Sequence, residues 1–295
     1  MKRRLLASSF LIIFFSLLFS VPGAVGASTQ AERERLTQII QILQQEVRVL
    51  QSLMENMQSS KNITARSYVV VNLSTNTTLL EKNTNILYPI ASVTKLMNAV
   101  IVREQIKGDP TITLTEPMLR PLGHSPTLFK GLNVSVKNLL QASLIQSTND
   151  ASEALAHVVG KETFVILMNQ KAKELEMEST VFYDAHGLNL ANQSTALDLV
   201  KLARYVYQNH PEILQITREN DFWLPDATGR SLKFMNMNNF YPLSSFVGGK
   251  TGYLPEAKQT LVSIFQVNGD PLAIIVLSSS NRQADVFAIL RKLKE

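Results

Sequence analysis

The sequence has no cysteine and only one tryptophan among its 295 residues. Disulfides and thiolate metal sites are therefore excluded, and so is lipid attachment through an N-terminal cysteine. The four histidines are scattered along the chain, so we expect no metal site. The formal net charge is +5, yet no long basic tract is present, which argues against nucleic-acid binding. With 45% hydrophobic residues, the chain can bury a large core without disulfides.

Residues 1–27 have the organisation of an export signal. Three basic residues at positions 2–4 precede an almost wholly apolar run from Leu5 to Val21, and small residues follow at 24–27. The apolar run is about seventeen residues long, close to the minimum for crossing a bilayer. Retention as a membrane anchor through residues 5–22 is therefore the alternative to cleavage. In both cases the basic flank stays inside, so we expect the rest of the chain outside the cytoplasm.

Residues 28–62 are predicted to form a helical spacer. Its apolar residues alternate at steps of four and three, the spacing of a coiled-coil seam, at Leu36, Ile40, Leu43, Val47, Leu50, Met54 and Met57. β-Branched residues at the a positions with leucine at d favour a parallel dimer, here a homodimer through residues 36–57. Complementary charges beside the seam are few. An amphipathic spacer lying on the membrane or on the following domain is the alternative.

A turn that leads into a helix contains the first candidate catalytic residues. Pro89 fixes a loop conformation, and apolar residues from Val93 to Ile101 then recur at helical spacing. Ser92 falls in the first turn of this helix, and Lys95 projects from the same side. A partly desolvated lysine can take the proton of a serine hydroxyl, and the free N–H groups at a helix start favour developing negative charge. An exposed helix with an ordinary lysine is the alternative.

Two further motifs follow in the chain. Ser147-Thr148-Asn149 lies in a polar break between two apolar helical segments, where Ser147 or Asn149 could instead cap the next helix. Lys250-Thr251-Gly252 lies in a predicted strand. Ser-x-x-Lys, Ser-x-Asn and Lys-Thr-Gly in this order are typical of β-lactamases and penicillin-binding proteins. From Ser67 to its C-terminus, the chain resembles the low-molecular-mass penicillin-binding proteins, specifically the D-alanyl-D-alanine carboxypeptidase family.

The resemblance implies an α+β, β-lactamase/transpeptidase-like fold, with an antiparallel sheet flanked by helices, for a catalytic domain at 63–295. The residue patterns agree with it: a hairpin within 67–80, two strands at 261–267 and 272–277, and a closing helix at 283–293. We expect Phe246 to Tyr253 to form an inner strand edge, where the glycines let a ligand backbone approach: Gly248, Gly249 and Gly252.

The resemblance also implies a serine-type D-alanyl-D-alanine carboxypeptidase that acts on peptidoglycan stem peptides, is inhibited by β-lactams, and needs no metal or organic cofactor. Ser92 would attack the carbonyl between two D-alanines, and Lys95 would take its proton. Ser147, near Lys250, would relay a proton to the leaving amine, while Asn149 would orient Lys95 or the substrate amide.

Substrate binding would fall to the third motif. Lys250 and Thr251 would bind the terminal carboxylate of the substrate, and the backbone N–H groups of Ser92 and Tyr253, which follows Gly252, would form the oxyanion hole. Such a protein would lie in the periplasm or on the cell-wall side of the cytoplasmic membrane, secreted or anchored.

The chain departs from the family pattern at two places. Asp184-Ala185 replaces the family's Asn-Pro in a Thr-x-Phe-x-Asn-Pro-x-Gly-Leu segment, and Lys258 replaces the glycine of an Ala-Gly pair, where it either alters substrate preference or faces solvent. In a second family-like segment, Thr195 is expected to cap a helix and Asp198 to return the bond. We expect architectural roles for both segments.

Other activities remain as alternatives. The chain stops after the closing helix, as in short D,D-endopeptidases that cut peptidoglycan cross-links, and the motifs do not separate the two activities. A β-lactamase would need a Glu-x-x-Leu-Asn element, and the nearest string is at 212–215. A serine–histidine–aspartate triad is unnecessary beside Lys95. An inactive scaffold that recruits a partner through its N-terminal helix is the non-enzymatic alternative.

Overall fold

The computed structural model describes residues 30–59, 62–121, 128–225 and 231–294. The predicted signal at 1–27, with its candidate anchor at 5–22, lies outside these residues. Among the residues that are described, no helix combines the length and the apolar character needed to cross a membrane. The chain divides after Val49 into two compact units, and the candidate site lies in the second.

Helix α1 is the first described element and runs over Gln30–Ser59. Six side chains of the apolar seam are between 41% and 58% exposed: Leu36, Ile40, Leu43, Val47, Leu50 and Met54. Residues at this spacing share one face of a helix. The seam is therefore an exposed apolar row, and the homodimer stays a prediction.

The strands of the described residues are, in chain order, β1 (Ser67–Asn72), β2 (Thr78–Lys82), β3 (Tyr88–Pro89), β4 (Thr111–Thr113), β5 (Asn133–Ser135), β6 (Gln193–Ser194), β7 (Asp221–Pro225), β8 (Ser231–Met235), β9 (Phe246–Leu254), β10 (Lys258–Val267) and β11 (Asp270–Ser279). Five of them form an antiparallel sheet in the order β2-β1-β11-β10-β9, and the others pair as β3-β6, β4-β5 and β7-β8. The predicted N-terminal hairpin thus joins the C-terminal strands, and β9 forms an edge of the sheet.

The helices that follow α1 are α2 (Thr94–Gln105), α3 (Val136–Ile145), α4 (Asn149–Val159), α5 (Lys161–Glu174), α6 (Ala196–Asn209), α7 (Pro211–Arg218) and α8 (Arg282–Lys292). Strand β11 is buried at every position after its first, and both α6 and α8 pack against it. In α2 every residue from Thr94 to Val102 is buried. Burial of a helix all round its axis is typical of a helix that crosses the core, so α2 carries its first residues into the protein interior.

Only one of the two hydrogen bonds predicted to cap α6 is formed. The Thr195 hydroxyl accepts the backbone N–H of Asp198 at 3.1 Å and caps α6, as expected. The Asp198 carboxylate does not return the bond. It instead accepts the backbone N–H of Ser179 at 2.9 Å and the hydroxyl of Thr180 at 2.8 Å, because the preceding segment packs across the start of the helix.

Candidate active site

Ser92 lies in a single 3-10 turn, Ala91–Val93, that runs directly into α2. The carbonyl of Ile90 before the turn accepts the hydroxyl of Thr260 at 3.0 Å, which ties the turn to β10. Ala91 has a positive φ of 50°, a conformation that costs a non-glycine residue of order 1–3 kcal/mol. The surrounding sheet and helix therefore impose the backbone conformation that presents Ser92.

The Lys95 amine is fully buried and donates three hydrogen bonds. Its acceptors are the Ser92 hydroxyl at 3.0 Å, the side-chain carbonyl of Asn149 at 2.8 Å and the backbone carbonyl of His186 at 2.7 Å. Burial lowers the pKa of Lys95 to about 7, while the negative charges of Asp184 and Asp150 act in the opposite direction. Close to neutral pH, a large fraction of this lysine is therefore an uncharged amine next to the serine.

A second lysine contacts the second motif. The Lys250 amine, also buried, donates to the Ser147 hydroxyl and to the Thr251 carbonyl, each at 2.9 Å. Burial, followed by the positive charges of Lys95 and Arg282, holds the pKa of Lys250 well below its usual range. A lysine with a lowered pKa gives up its proton more readily, which favours proton transfer from Lys250 to the Ser147 hydroxyl.

Helix capping does not account for the second motif. The residue that precedes α4 is Thr148, and its side chain makes no capping hydrogen bond. Ser147 adopts a left-handed conformation with φ of 63°, and its hydroxyl meets Lys250 rather than the helix start. The Asn149 side chain likewise meets Lys95. Both side chains are therefore directed at the two buried lysines.

Gly252 allows β9 to lie against the Ser92 turn. A Cβ added at this position would lie 2.4 Å from the Thr260 hydroxyl, 2.8 Å from the Ile90 carbonyl and 3.0 Å from the Ser92 backbone nitrogen. Any side chain would push strand and turn apart. Beside it, Thr251 is buried, whereas the side chain of Tyr253 is 62% exposed.

The two preceding glycines are required by packing within the domain. A Cβ at Gly248 would lie 2.6 Å from Leu214 of α7, and one at Gly249 would lie 2.2 Å from the Val262 carbonyl of β10. In both cases the space that a Cβ would need is filled by the domain itself, and the approach of a ligand backbone to this strand stays a prediction. Their absent side chains serve the packing of the sheet and α7.

Sequence reasoning missed Arg282, at the start of α8. Its guanidinium donates to the Gly252 carbonyl at 2.8 Å, and burial lowers its pKa to about 10. Within the described residues, no carboxylate forms a salt bridge with it. The sequence predicted a closing helix that begins at residue 283, one position after Arg282. A single arginine at such a place gives no sign of a functional site.

Comparison with known proteins agrees with this geometry. The family model described as D-alanyl-D-alanine carboxypeptidase (peptidase S11) matches residues 54–281. The chain belongs to this family. The predicted family, its α+β fold and the assignment as a serine-type D-alanyl-D-alanine peptidase are therefore confirmed.

The individual relatives are named for two different activities. A D-alanyl-D-alanine endopeptidase of Haemophilus influenzae is 35% identical over 223 residues, which cover 74% of this chain and 76% of that protein. The D-alanyl-D-alanine carboxypeptidase DacF of Bacillus subtilis is 30% identical, over 78% of this chain and 61% of its own. Penicillin-binding protein D2 of Listeria monocytogenes, solved with cefotaxime bound, superimposes with a TM-score of 0.69 at 27% identity, over 80% of this chain and 98% of that one.

Proposed function

We propose that this carboxypeptidase-family enzyme cleaves peptidoglycan stem peptides that end in two D-alanines, through an acyl-enzyme on Ser92. The observation that supports this role is the 3.0 Å contact between the Ser92 hydroxyl and a buried lysine, Lys95, whose pKa is about 7. A lysine with an ordinary pKa would be protonated at neutral pH and could not act as a base. Burial of Lys95 supplies the base that the hydroxyl needs.

In the acylation step, the neutral Lys95 amine takes the Ser92 proton while Ser92 Oγ bonds to the carbonyl carbon between the D-alanines. Asn149 holds the amine in place. The tetrahedral intermediate then breaks its C–N bond, and Ser147 gives its proton to the leaving amine while the protonated Lys250 donates one to Ser147. Water then attacks the ester and passes its proton through Ser147 back to Lys250. Lys95 returns its proton to Ser92 Oγ, which restores the hydroxyl and releases the shortened peptide.

The terminal carboxylate of the substrate is a small anion, and the third motif supplies a cation and a hydroxyl for it. We assign its binding to Lys250 and Thr251, and the buried guanidinium of Arg282 donates to the Gly252 carbonyl of the same strand. A bound carboxylate stabilises the protonated form of a neighbouring lysine. The oxyanion of the tetrahedral intermediate is assigned to the backbone N–H groups of Ser92 and Tyr253, on the two segments that Gly252 lets approach each other.

Endopeptidase activity is the second candidate, and the name of the Haemophilus influenzae relative favours it. The two activities differ in the group that leaves: free D-alanine in one case, and the cross-linked partner peptide in the other. Incubation with a pentapeptide monomer and with a purified cross-linked dimer, followed by mass spectrometry, separates them. Release of D-alanine alone supports the carboxypeptidase, and cleavage of the dimer alone supports the endopeptidase.

β-Lactams are proposed to acylate Ser92, and the Listeria monocytogenes structure with cefotaxime supports this. We expect slow release of the acyl group. The nearest string to the deacylation element of β-lactamases begins at Glu212, whose carboxylate is 2.9 Å from the Arg103 guanidinium and 3.3 Å from the His210 ring. A carboxylate engaged in this way is not available to activate water at Ser92.

Intact-mass spectrometry after incubation with benzylpenicillin tests the nucleophile. We expect a lasting adduct of one penicillin on the protein and none on Ser92→Ala. Intact penicillin with no adduct would contradict the proposed function and favour the scaffold. Penicillin consumed without a lasting adduct would indicate a β-lactamase instead.

The remaining domains are proposed from sequence. Residues 1–27 direct export and are cleaved or kept as an anchor through 5–22, residues 28–62 act as a helical spacer, and 63–295 form the catalytic domain in the periplasm or at the cell wall. N-terminal sequencing of the protein from the host envelope distinguishes cleavage from retention. The exposed seam of α1 supports a homodimer, for which a seam variant is described in the Discussion.

A further inference from the structure

Asp184 organises the loop at 184–189. One carboxylate oxygen accepts the backbone N–H groups of His186 at 3.0 Å and Gly187 at 2.5 Å, together with the side-chain amide of Asn192 at 2.9 Å. The other accepts the backbone N–H of Asn189 at 2.6 Å. Asp184 is itself buried. Four donors on one buried carboxylate hold the loop in a single conformation.

The same loop lies directly against the nucleophile turn. The carbonyl of His186 accepts the Lys95 amine at 2.7 Å. A Cβ at Gly187 would lie 2.0 Å from the carbonyl of Ala91, so loop and turn are in backbone contact. A displacement of the loop would therefore move an acceptor of the candidate base and disturb the turn before Ser92.

We propose that Asp184 is a positioning residue for acylation, which fixes the carbonyl that holds Lys95 and places a negative charge near the amine. This inference rests on the proposed function, in which Lys95 is the base. An asparagine of the same shape carries no charge and offers one acceptor oxygen where a carboxylate offers two. The carboxylate thus adds an electrostatic effect that an asparagine at this position would lack.

The negative charge of Asp184 raises the pKa of the candidate base, Lys95. Asp184 and Asp150 favour the ammonium form and raise the pKa of Lys95, although burial, the largest influence, lowers it to about 7. Burial also lowers the pKa of His186, whose ring faces Asp184 at 3.3 Å and Glu153 at 3.7 Å. The charged groups around Lys95 and His186 are Asp150, Glu153, Lys161, Asp184 and Lys250.

The test is the pH dependence of acylation by benzylpenicillin in Asp184→Asn, followed by intact mass from about pH 5 to about pH 9. Acylation requires neutral Lys95, so its rate rises with pH through the pKa of that amine. Removal of the negative charge makes the amine lose its proton more easily. We expect the midpoint of this rise to move down by roughly half a pH unit or more. The plateau rate falls several-fold because the loop loses an acceptor.

Asp198→Asn is the matched control. Asp198 is also buried and its carboxylate accepts two hydrogen bonds from the chain, against four at Asp184, but it is not among the charges that act on Lys95. Its variant should lose thermal stability and keep the wild-type midpoint. A merely structural role of Asp184 would give the same result in Asp184→Asn, and that outcome would overturn the proposal.

Two further variants keep the test decisive. His186→Gln removes the imidazole ring. If Lys95 is the titrating group, the acylation rate of this variant must still rise with pH. An acylation rate that no longer depends on pH would overturn the proposal. Asp184→Glu keeps the charge but displaces the loop, and it serves where Asp184→Asn does not fold. Its expected result is a lower plateau with the midpoint of the wild type, and a shifted midpoint would refute the inference. Wild-type protein that is never acylated would refute the proposed function instead.

Discussion

Gly252→Ala tests the claim that catalysis depends on close contact between β9 and the Ser92 turn. The added Cβ would lie 2.8 Å from the Ile90 carbonyl and 2.4 Å from the Thr260 hydroxyl, where ordinary contacts begin at 3.4 Å. The Thr260 side chain can rotate, but the Ile90 carbonyl belongs to the backbone, so strand and turn must separate by about 0.6 Å. Misplacement of catalytic groups by about 1 Å costs roughly 100-fold in rate. We therefore expect acylation to slow by roughly 10- to 100-fold.

The same substitution should lower stability modestly. Overpacking of this kind costs about 1–3 kcal/mol, and each kcal/mol lowers Tm by about 2–4 °C in a domain of this size. Acylation rates with benzylpenicillin and thermal unfolding are measured on the same preparations. Gly269→Ala is the control, because Gly269 has a φ of 91° with no atom within 4 Å of its Cβ position and lies in the distant β10–β11 turn. It should lose stability and keep its acylation rate. Equal rates in both variants would refute the reasoning.

Three further predictions concern Lys95, Lys258 and the α1 seam. Lys95 loses its proton near pH 7 in the folded protein, whereas an unfolded lysine does so near pH 10.5. The free energy of unfolding of the wild type relative to Lys95→Met should therefore rise with pH between these values, by at most about 1.4 kcal/mol per pH unit. A difference that does not depend on pH would contradict the lowered pKa. Lys258 has a positive φ of 55°, so Lys258→Gly should raise the free energy of unfolding by about 1 kcal/mol and Tm by about 2–4 °C. Lys258→Ala removes only the charged group and should leave the stability unchanged. Equal effects of the two substitutions would disprove backbone strain. Val47→Asp in the exposed seam should convert the proposed dimer to a monomer in sedimentation experiments. Gln38→Asp, which lies outside the seam, is the control and should leave the dimer intact. A monomeric wild type would exclude the homodimer.

Much of the fold and part of the site could be predicted because their signals are local. The helix after Ser92, the break at Ser147 and the strand through Lys250 follow from apolar spacing and turn residues within about ten positions. The N-terminal hairpin and the paired strands β10 and β11 are likewise visible as β-branched runs around polar turns. The order of the motifs along the chain then identified the family.

Other features could not be predicted because they depend on which distant segments meet. The packing of Gly248 against α7 and of Gly249 against β10 leaves no local pattern in the sequence. The Asp198 carboxylate was expected to complete a cap, and it binds the segment at 179–180 instead. Arg282 gave no signal, since its hydrogen bond to the Gly252 carbonyl exists only once α8 packs against β10 and β11.

The sequence by itself determined the candidate nucleophile, its neighbouring lysine, the order of the three motifs and the class of fold. Only the tertiary structure decided the state of those residues. Lys95 can act as the proposed base because α2 carries it into the core, where it is shielded from solvent and Asn149 and the His186 carbonyl hold the amine. Asp184 gains its influence in the same way, from a loop about ninety residues away along the chain that closes against the Ser92 turn. Spacing along a chain records which side chains are present, whereas desolvation and charge–charge distances arise only when the chain is folded.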